Sequence, residues 1–173
     1  LDTGEYAVVA TDLNSGVDAE SSTITVSQAD DESASFAENV VTNERGDILE
    51  ATVEMTETSE ATIGFGSADD GVVANATVED DDGDDQVTVL INTFNFQTST
   101  TDDIYSLPDD SDDNILEQEQ NNVPTSTPGT NQLDDLIDSG DYDFEVEAGD
   151  QGVSTGVTDS DDVATVTLEE RST

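Results

Sequence analysis

Residues 47–55 read DILEATVEM, and their alternation indicates the fold class. Apolar side chains occupy every second position, at Leu49, Ala51, Val53 and Met55. Glutamate and threonine fill the positions between them. Because successive side chains of a strand point to opposite faces, this period of two predicts a β-strand with one buried and one solvated face.

The same alternation continues beyond this strand. It recurs at 61–65, 71–79, 141–147 and 162–170. The segment 86–96 is apolar on both faces for part of its length, as expected for a central strand, and a weaker strand is expected near 38–42. Clusters of Asp, Gly and Ser that are typical of turns separate the strands, at 67–71, 79–85 and 148–152. The sequence therefore predicts an all-β protein, an Ig-like antiparallel β-sandwich of about seven strands.

The charge of the chain is extreme. Lysine and arginine total 2 and aspartate and glutamate total 44, which gives a formal charge of −42. At ordinary ionic strength these carboxylates repel one another, whereas in molar salt the Debye length falls to about 3 Å. Because 32% of the residues are hydrophobic and lie in ordered alternating runs, we expect a folded protein adapted to high salt. Such a surface also argues against nucleic-acid partners.

The residue inventory narrows the possible functions. The chain has no histidine, cysteine or lysine, so the usual bases and activated nucleophiles are missing and we expect no enzyme activity. Carboxylate pairs could act as in glycosidases, but nothing distinguishes one pair from the others. Without cysteine there are no disulfides or thiolate metal sites. No apolar stretch approaches the ~18 residues of a membrane span.

A repeat links the two ends of the chain. LDTGEYAVVATD (1–12) aligns with IDSGDYDFEVEA (137–148), and STITV (22–26) aligns with ATVTL (164–168). We expect 1–29 to be the closing hairpin of a truncated upstream Ig-like domain, 30–33 a linker and 34–173 a complete domain. One larger sandwich with two similar hairpins is the alternative. Tyr6 and Tyr142 would be the tyrosine corners of the two copies.

Residues 97–130 interrupt the strand pattern. This stretch contains all three prolines of the chain and shows no long periodicity. We expect a long loop inserted between two strands, with one helical turn around 114–120. Long loops of this kind are usually either functional or mobile.

The stretch from 43 to 94 and the ending DVATVTLEERST (162–173) resemble the haloarchaeal surface glycoproteins, the S-layer proteins and their relatives. The resemblance covers most of 34–173 and implies repeated acidic β-sandwich domains. It also implies an extracellular structural role at the cell surface, in a glycosylated lattice of neighbouring copies stabilised by divalent cations. The alternative is an adhesin or surface-filament subunit that binds through the 97–130 loop.

Asn75-Ala76-Thr77 is the glycosylation sequon of the chain. The alternation of 71–79 places Asn75 on the face opposite Ala74 and Ala76, and we expect that face to be exposed. An exposed Asn75 is a candidate acceptor for a glycan. The alternative is a plain solvent-facing asparagine.

Three acidic clusters are candidate sites for Ca²⁺ or Mg²⁺, which bind oxygen ligands. The first resembles part of an EF-hand loop and comprises Asp109, Ser111, Asp113 and Glu119. The second lies in the first hairpin and comprises Asp12, Asn14 and Asp18. The third is the turn 80–85, with Asp80 and Asp82. Clusters of this kind are also expected by chance in so acidic a chain.

The tripeptide Arg45-Gly46-Asp47 has the sequence of an adhesion motif. We expect it to form the turn that enters the strand at 47–55, with Arg45 paired to a carboxylate. A role in recognition is the alternative, although a short match carries little information by itself.

Overall fold

The computed structural model describes residues 4–7, 9–11, 14–16, 18–26, 31–97, 104–120, 133 and 135–172. Contacts divide the chain into two compact units, Leu1–Asp31 and Glu32–Thr173. Among the described residues, no helix is long and apolar enough to cross a membrane.

The first unit is an antiparallel hairpin. Its strands are β1 (Gly4–Tyr6), β2 (Val9–Thr11), β3 (Asp18–Glu20) and β4 (Ile24–Val26). The outer strands pair β1 with β4, and the inner strands pair β2 with β3. Whether this hairpin closes an upstream domain, with a linker at 30–33, stays a prediction.

The second unit carries two sheets. Its strands are β5 (Ser33–Phe36), β6 (Val40–Glu44), β7 (Ile48–Thr56), β8 (Glu60–Phe65), β9 (Ala74–Glu79), β10 (Gln86–Asn92), β11 (Tyr105–Ser106), β12 (Asn114–Gln120), β13 (Gly140–Ala148) and β14 (Asp162–Glu169). A four-stranded sheet has the order β11-β10-β7-β5, and a six-stranded sheet has the order β12-β9-β8-β13-β14-β6. Neighbouring strands pair antiparallel except β6 and β14, which pair parallel.

The core lies between the inner faces of the two sheets. In β7 the residues Leu49, Ala51, Val53 and Met55 are buried, as the alternation predicts. Aromatic rings fill the centre: Phe36 stacks on Phe144 with centroids 4.5 Å apart, and Phe65 stacks on Phe96 at 5.5 Å. Burial of this apolar surface is the main force that holds the sheets together. The all-β prediction, with two packed sheets, is therefore confirmed.

Both faces of β8 and β9 are buried, which alternation alone does not predict. The loop from Gly149 to Asp161, between β13 and β14, covers their outer face. The Thr62 hydroxyl donates to the Gly149 carbonyl at 2.9 Å, and the Gln151 N–H donates to that hydroxyl at 2.9 Å. The loop thus covers the outer face of β8 and β9 and is hydrogen-bonded to it.

The region predicted as a long loop, 97–130, is partly strand. Residues 93–97 form a 3₁₀ helix, η1 (Thr93–Gln97), so the strand predicted to reach residue 96 ends at Asn92. Within 104–120, β11 extends the four-stranded sheet and β12 extends the six-stranded sheet. The predicted helical turn at 114–120 is wrong, because the segment gains backbone partners along β9, whereas an isolated helical turn is marginal in water.

Candidate functional site

The turn between β9 and β10 is organised by one buried carboxylate. Asp80 is 7% exposed, and its Oδ1 accepts the Gly83 N–H at 2.7 Å. Its Oδ2 accepts the Asp85 N–H at 2.9 Å. Gly83 and Asp85 have positive φ values of 78° and 65°, which a tight turn requires. Asp80 therefore fixes the shape of the acidic turn.

The same turn brings three carboxylates together. Asp80, Asp82 and Asp84 each place one oxygen so that the three atoms lie within 4.8 Å of one another. Partial desolvation in this crowded turn raises the pKa of Asp82, and the negative charge of Asp84 raises it further. The carboxylates of Asp113 and Asp80 act in the same direction. This concentration of charge disfavours the ionised state of Asp82 unless a cation is present.

A second acidic loop faces this turn across a cleft. The cleft is lined by Asp82, Asp84, Gln86, Thr88, Pro108, Asp110, Ser111, Asp112 and Asp113. Asp113 Oδ2 accepts the Ser111 hydroxyl at 2.8 Å. Its Oδ1 is buried and has no hydrogen-bond partner among the described residues. The structure thus joins parts of two clusters that are separate in sequence.

The other members of the predicted EF-like loop do not join this cleft. Asp109 is exposed and does not line it. Glu119 lies six residues beyond Asp113, about 20 Å along an extended strand, and its Oε2 accepts the Ser154 hydroxyl at 2.8 Å. The EF-like arrangement is therefore wrong, because 114–120 forms a strand instead of turning around an ion.

The candidate cluster of the first hairpin is only partly described. Asn14 lies in the turn, and Asp18 begins β3 opposite Thr11. Asp12 lies outside the described residues. A cation in this hairpin stays a prediction.

Asn75 does not have the exposed position that the alternation suggested. The residue is 8% exposed, and its Nδ2 donates to the Val153 carbonyl at 2.9 Å. A Cβ added at Gly156 would lie 2.6 Å from that nitrogen. The predicted exposure is wrong because the β13–β14 loop covers this face. The folded domain leaves no space for a glycan on Asn75.

Tyr142 has the hydrogen bond that a tyrosine corner uses. Its hydroxyl donates to the Asp138 carbonyl at 2.8 Å, just upstream in the chain. Burial raises the pKa of Tyr142 to about 12, and the charges of Asp138 and Asp70 add to the effect. Tyr6, its counterpart in the repeat, is 37% exposed. The equivalence of the two tyrosines stays a prediction.

The hairpins that carry these tyrosines share one register. Tyr6 pairs with Ile24 in the first unit, and Tyr142 pairs with Val166 in the second. The neighbouring pairs also correspond, since Gly4 opposite Val26 matches Gly140 opposite Leu168. The sequence repeat is therefore also a repeat of strand pairing.

The Arg45-Gly46-Asp47 tripeptide forms the turn between β6 and β7. Arg45 is paired with Glu170 at 2.9 Å, which confirms its predicted carboxylate partner. Asp47 is paired with Arg171 at 3.0 Å. Both charged groups of the tripeptide are thus engaged within the domain.

Sequence reasoning missed Tyr105. This residue is buried in β11, and its hydroxyl donates to the Ala74 carbonyl at 2.7 Å. Burial raises the pKa of Tyr105 well above its usual range. The apolar pair Ile104 and Tyr105, inside an otherwise polar stretch, was the signal that this segment reaches the core.

The described residues define an acidic β domain of two sheets, whose carboxylate clusters lie in loops at the ends of strands. The chain belongs to the family described as "Domain of unknown function (DUF7827)", which matches residues 26–149. No solved structure matches it.

Three curated relatives align with essentially the whole chain. "Cell surface glycoprotein" of Haloferax gibbonsii is 38% identical over 173 residues. "Cell surface glycoprotein 2" and "Cell surface glycoprotein 1" of Haloarcula hispanica are 36% and 34% identical over 99% of the chain. The chain spans 18% of the length of each relative. The predicted resemblance to haloarchaeal surface glycoproteins is confirmed.

Proposed function

We propose that this chain is a structural module of a haloarchaeal cell-surface glycoprotein. The observation that carries the proposal is the whole-chain similarity, at 34–38% identity, to three proteins named as cell surface glycoproteins. The extreme negative charge agrees with this setting, because a carboxylate-rich surface stays soluble and folded where salt screens its repulsion.

The location has a direct chemical test with introduced cysteines, because these 173 residues contain none, and the unsubstituted parent protein gives the background labelling. Glu50→Cys and Asp159→Cys place a thiol at exposed positions, whereas Val166→Cys places it in the core. A membrane-impermeant maleimide applied to intact cells that express the whole parent protein should label the first two variants and spare the third. Labelling of the exposed variants only after cell lysis would refute a surface location.

The finer part of the proposal is that the module builds an S-layer type of lattice. The shared register of the two hairpins supports a tandem arrangement of similar domains along the parent chain. Such an array, with neighbouring copies as partners, would set the spacing of an extracellular layer. The relatives' names are those of surface glycoproteins rather than enzymes, which supports a structural role without catalysis.

The alternative is an adhesin or filament subunit that binds through 97–130. The described part of that region does not favour it, because β11 and β12 are integrated into the two sheets. Deletion of residues 121–130 separates the alternatives: loss of cell adhesion with an intact layer would favour adhesion.

We also propose that the cleft between the two acidic loops binds a divalent cation, Ca²⁺ or Mg²⁺. The residues that would hold it are Asp80, Asp82, Asp84 and Asp113, whose carboxylates supply the hard oxygen ligands that these ions prefer. The buried Oδ1 of Asp113, without a hydrogen-bond partner in the described structure, supports the fit. Calorimetric titration in molar KCl with each ion tests the proposal, and absence of binding heat together with unchanged thermal stability would refute it.

A further inference from the structure

The strand near the start of the second unit lies beside its last strand, and both run in the same direction. β6 and β14 pair in parallel, from Val40 opposite Thr165 to Glu44 opposite Glu169. Backbone bonds continue past both ends of this ladder. The Thr165 N–H donates to the Asn39 carbonyl at 2.9 Å, and the Arg45 N–H donates to the Glu169 carbonyl at 3.0 Å.

This geometry determines how the unit responds to tension. The chain enters β6 at one end of the shared ladder and leaves β14 at the other. A pull on the two ends of the unit therefore acts along the strands, and all pairs bear it together. A pull applied at one end of the ladder instead opens the pairs one after another. Each backbone bond has a net value of only about 1 kcal/mol, so the number that must break at once decides the resistance.

The only two cations of the chain reinforce one end of this ladder. Lysine and arginine total 2, and they are Arg45 and Arg171. Arg45 pairs with Glu170 at 2.9 Å, and Arg171 pairs with Asp47 at 3.0 Å. The Ser172 hydroxyl donates to Glu44 Oε1 at 2.7 Å. Exposed ion pairs contribute about 0–1 kcal/mol and less in salt, so they hold the strand end in place while the ladder provides the strength.

The segment that leads into β6 is tied to the beginning of β14 as well. The Ala34 N–H donates to Asp161 Oδ2 at 3.1 Å, and the Phe36 N–H donates to Asp162 Oδ2 at 3.0 Å. The Phe36 ring stacks on Phe144 in the core. These bonds attach the first residues of the unit to the beginning of β14. Tension on the chain therefore reaches them before it reaches the β6–β14 ladder.

We propose that the parallel β6–β14 pair is a mechanical clamp that makes the second unit resist tension along the chain. The proposed function supplies its setting, a module in series within a long surface protein. The clamp itself depends only on the geometry of the unit.

The experiment compares two pulling directions in the same full chain. Because there is no native cysteine, pairs of introduced cysteines define where force is applied. Glu32→Cys with Ser172→Cys loads the ladder in shear, and Glu44→Cys with Glu169→Cys peels it from one end. Single-molecule force spectroscopy in molar KCl should give an unfolding force at least about twofold higher in shear at equal loading rate, since forced unfolding reports the unfolding barrier. Equal forces in both directions would overturn the clamp.

Two proline variants provide a matched control, because β6 and β12 are the two edges of the same sheet. Asn39 and Arg45 both bond to β14, so alternation directs the Val41 N–H toward β14 as well. Val41→Pro removes this donor, whereas Glu117→Pro disturbs β12, off the path of the force. Only Val41→Pro should lower the shear force. An equal drop in both variants would overturn the proposal, and if Val41→Pro does not fold, the two pulling directions decide.

The result is independent of lattice formation. A layer observed on cells together with equal forces would refute the clamp alone. A higher shear force without any layer would refute the lattice and leave the clamp standing.

Discussion

The buried side chain of Asn75 donates a hydrogen bond to the β13–β14 loop. Asn75→Ala would remove the donor to the buried Val153 carbonyl. We expect a loss of about 1–3 kcal/mol in the free energy of unfolding, the usual cost of an unpaired buried polar group. Denaturant unfolding in molar KCl, followed by circular dichroism, measures the change.

Asn114→Ala is the control for this variant. The Asn114 side chain also donates a hydrogen bond, to Glu79 Oε2 at 3.0 Å, but it is exposed on the neighbouring strand β12. Its loss should therefore change the stability little. Equal effects of the two substitutions, or a glycosylated Asn75 peptide from native material, would contradict the buried position of Asn75.

Tyr142 should make stability depend on pH in alkali. Its pKa is raised by burial to about 12, above the value of about 10 in an unfolded chain. The folded state therefore keeps the phenol proton longer, and stability falls as pH rises from about 10 to about 12. Tyr105 acts in the same direction.

Tyr142→Phe should reduce this alkaline loss of stability and cost about 1 kcal/mol at neutral pH through the lost bond to Asp138. Unfolding curves collected across the alkaline range test both effects, with Tyr6→Phe as the exposed control. An unchanged pH profile in Tyr142→Phe would count against its burial.

At the scale of single elements, β5 depends on carboxylates of a distant segment. Asp161 Oδ2 accepts the N–H of Ala34 and, at 2.8 Å, the N–H of Ala148. Asp161→Ala should therefore speed hydrogen exchange at both amides by at least about tenfold, which corresponds to roughly 1.4 kcal/mol of local opening. Asp159→Ala, with an exposed side chain in the same loop, should leave both amides protected. Unchanged exchange in Asp161→Ala would contradict this attachment of β5.

Removal of one negative charge from the β9–β10 turn should reduce the repulsion among its carboxylates. The pKa of Asp82 is raised by desolvation and by neighbouring carboxylates, so its ionisation opposes folding above that pKa. In molar KCl with chelator, Asp82→Asn should raise the melting temperature. It should also abolish the rise in melting temperature that added Ca²⁺ produces in the unsubstituted chain. Asp159→Asn removes one negative charge from the β13–β14 loop instead, and this variant should still melt at a higher temperature when Ca²⁺ is added. Retention of the Ca²⁺-induced rise in Asp82→Asn would refute the proposed site.

Alternation predicted the pattern of burial correctly in the strands that have one solvated face. In β7 the period of two matches the burial of Leu49 to Met55 residue by residue. Alternation fails at Asn75 because a long-range loop covers the second face of β9, and a local pattern carries no information on such a cover. It also fails at β12, whose mixed polar sequence becomes a strand because β9 offers a free edge.

The candidate site was predictable in composition but not in arrangement. In the sequence, Asp80 and Asp82 stand out as part of one acidic cluster and Asp113 as part of another. That these residues meet depends on β12 pairing beside β9, which brings the two loops to the same end of the sheet. The EF-like spacing pointed to Glu119, which the strand carries away from the cleft.

At the scale of the molecule, the charge of −42 should make folding depend on salt. The Debye length rises from about 3 Å at 1 M salt to about 10 Å at 0.1 M, so dilution restores the repulsion among the carboxylates. We expect the chain to lose its circular dichroism signal for β structure on dialysis from molar KCl to about 0.1 M and to regain it on return. An unchanged spectrum at low salt would contradict the halophilic character.

The role proposed for this chain is that of a module in a lattice at the cell surface. Cryo-electron tomography of envelopes from cells that express the Asp159→Cys variant, with gold attached to the introduced thiol, tests this role. We expect a periodic layer in which the label repeats at the lattice spacing and the averaged density contains two-sheet domains. Label confined to isolated filaments, or scattered over an envelope without periodic order, would contradict it.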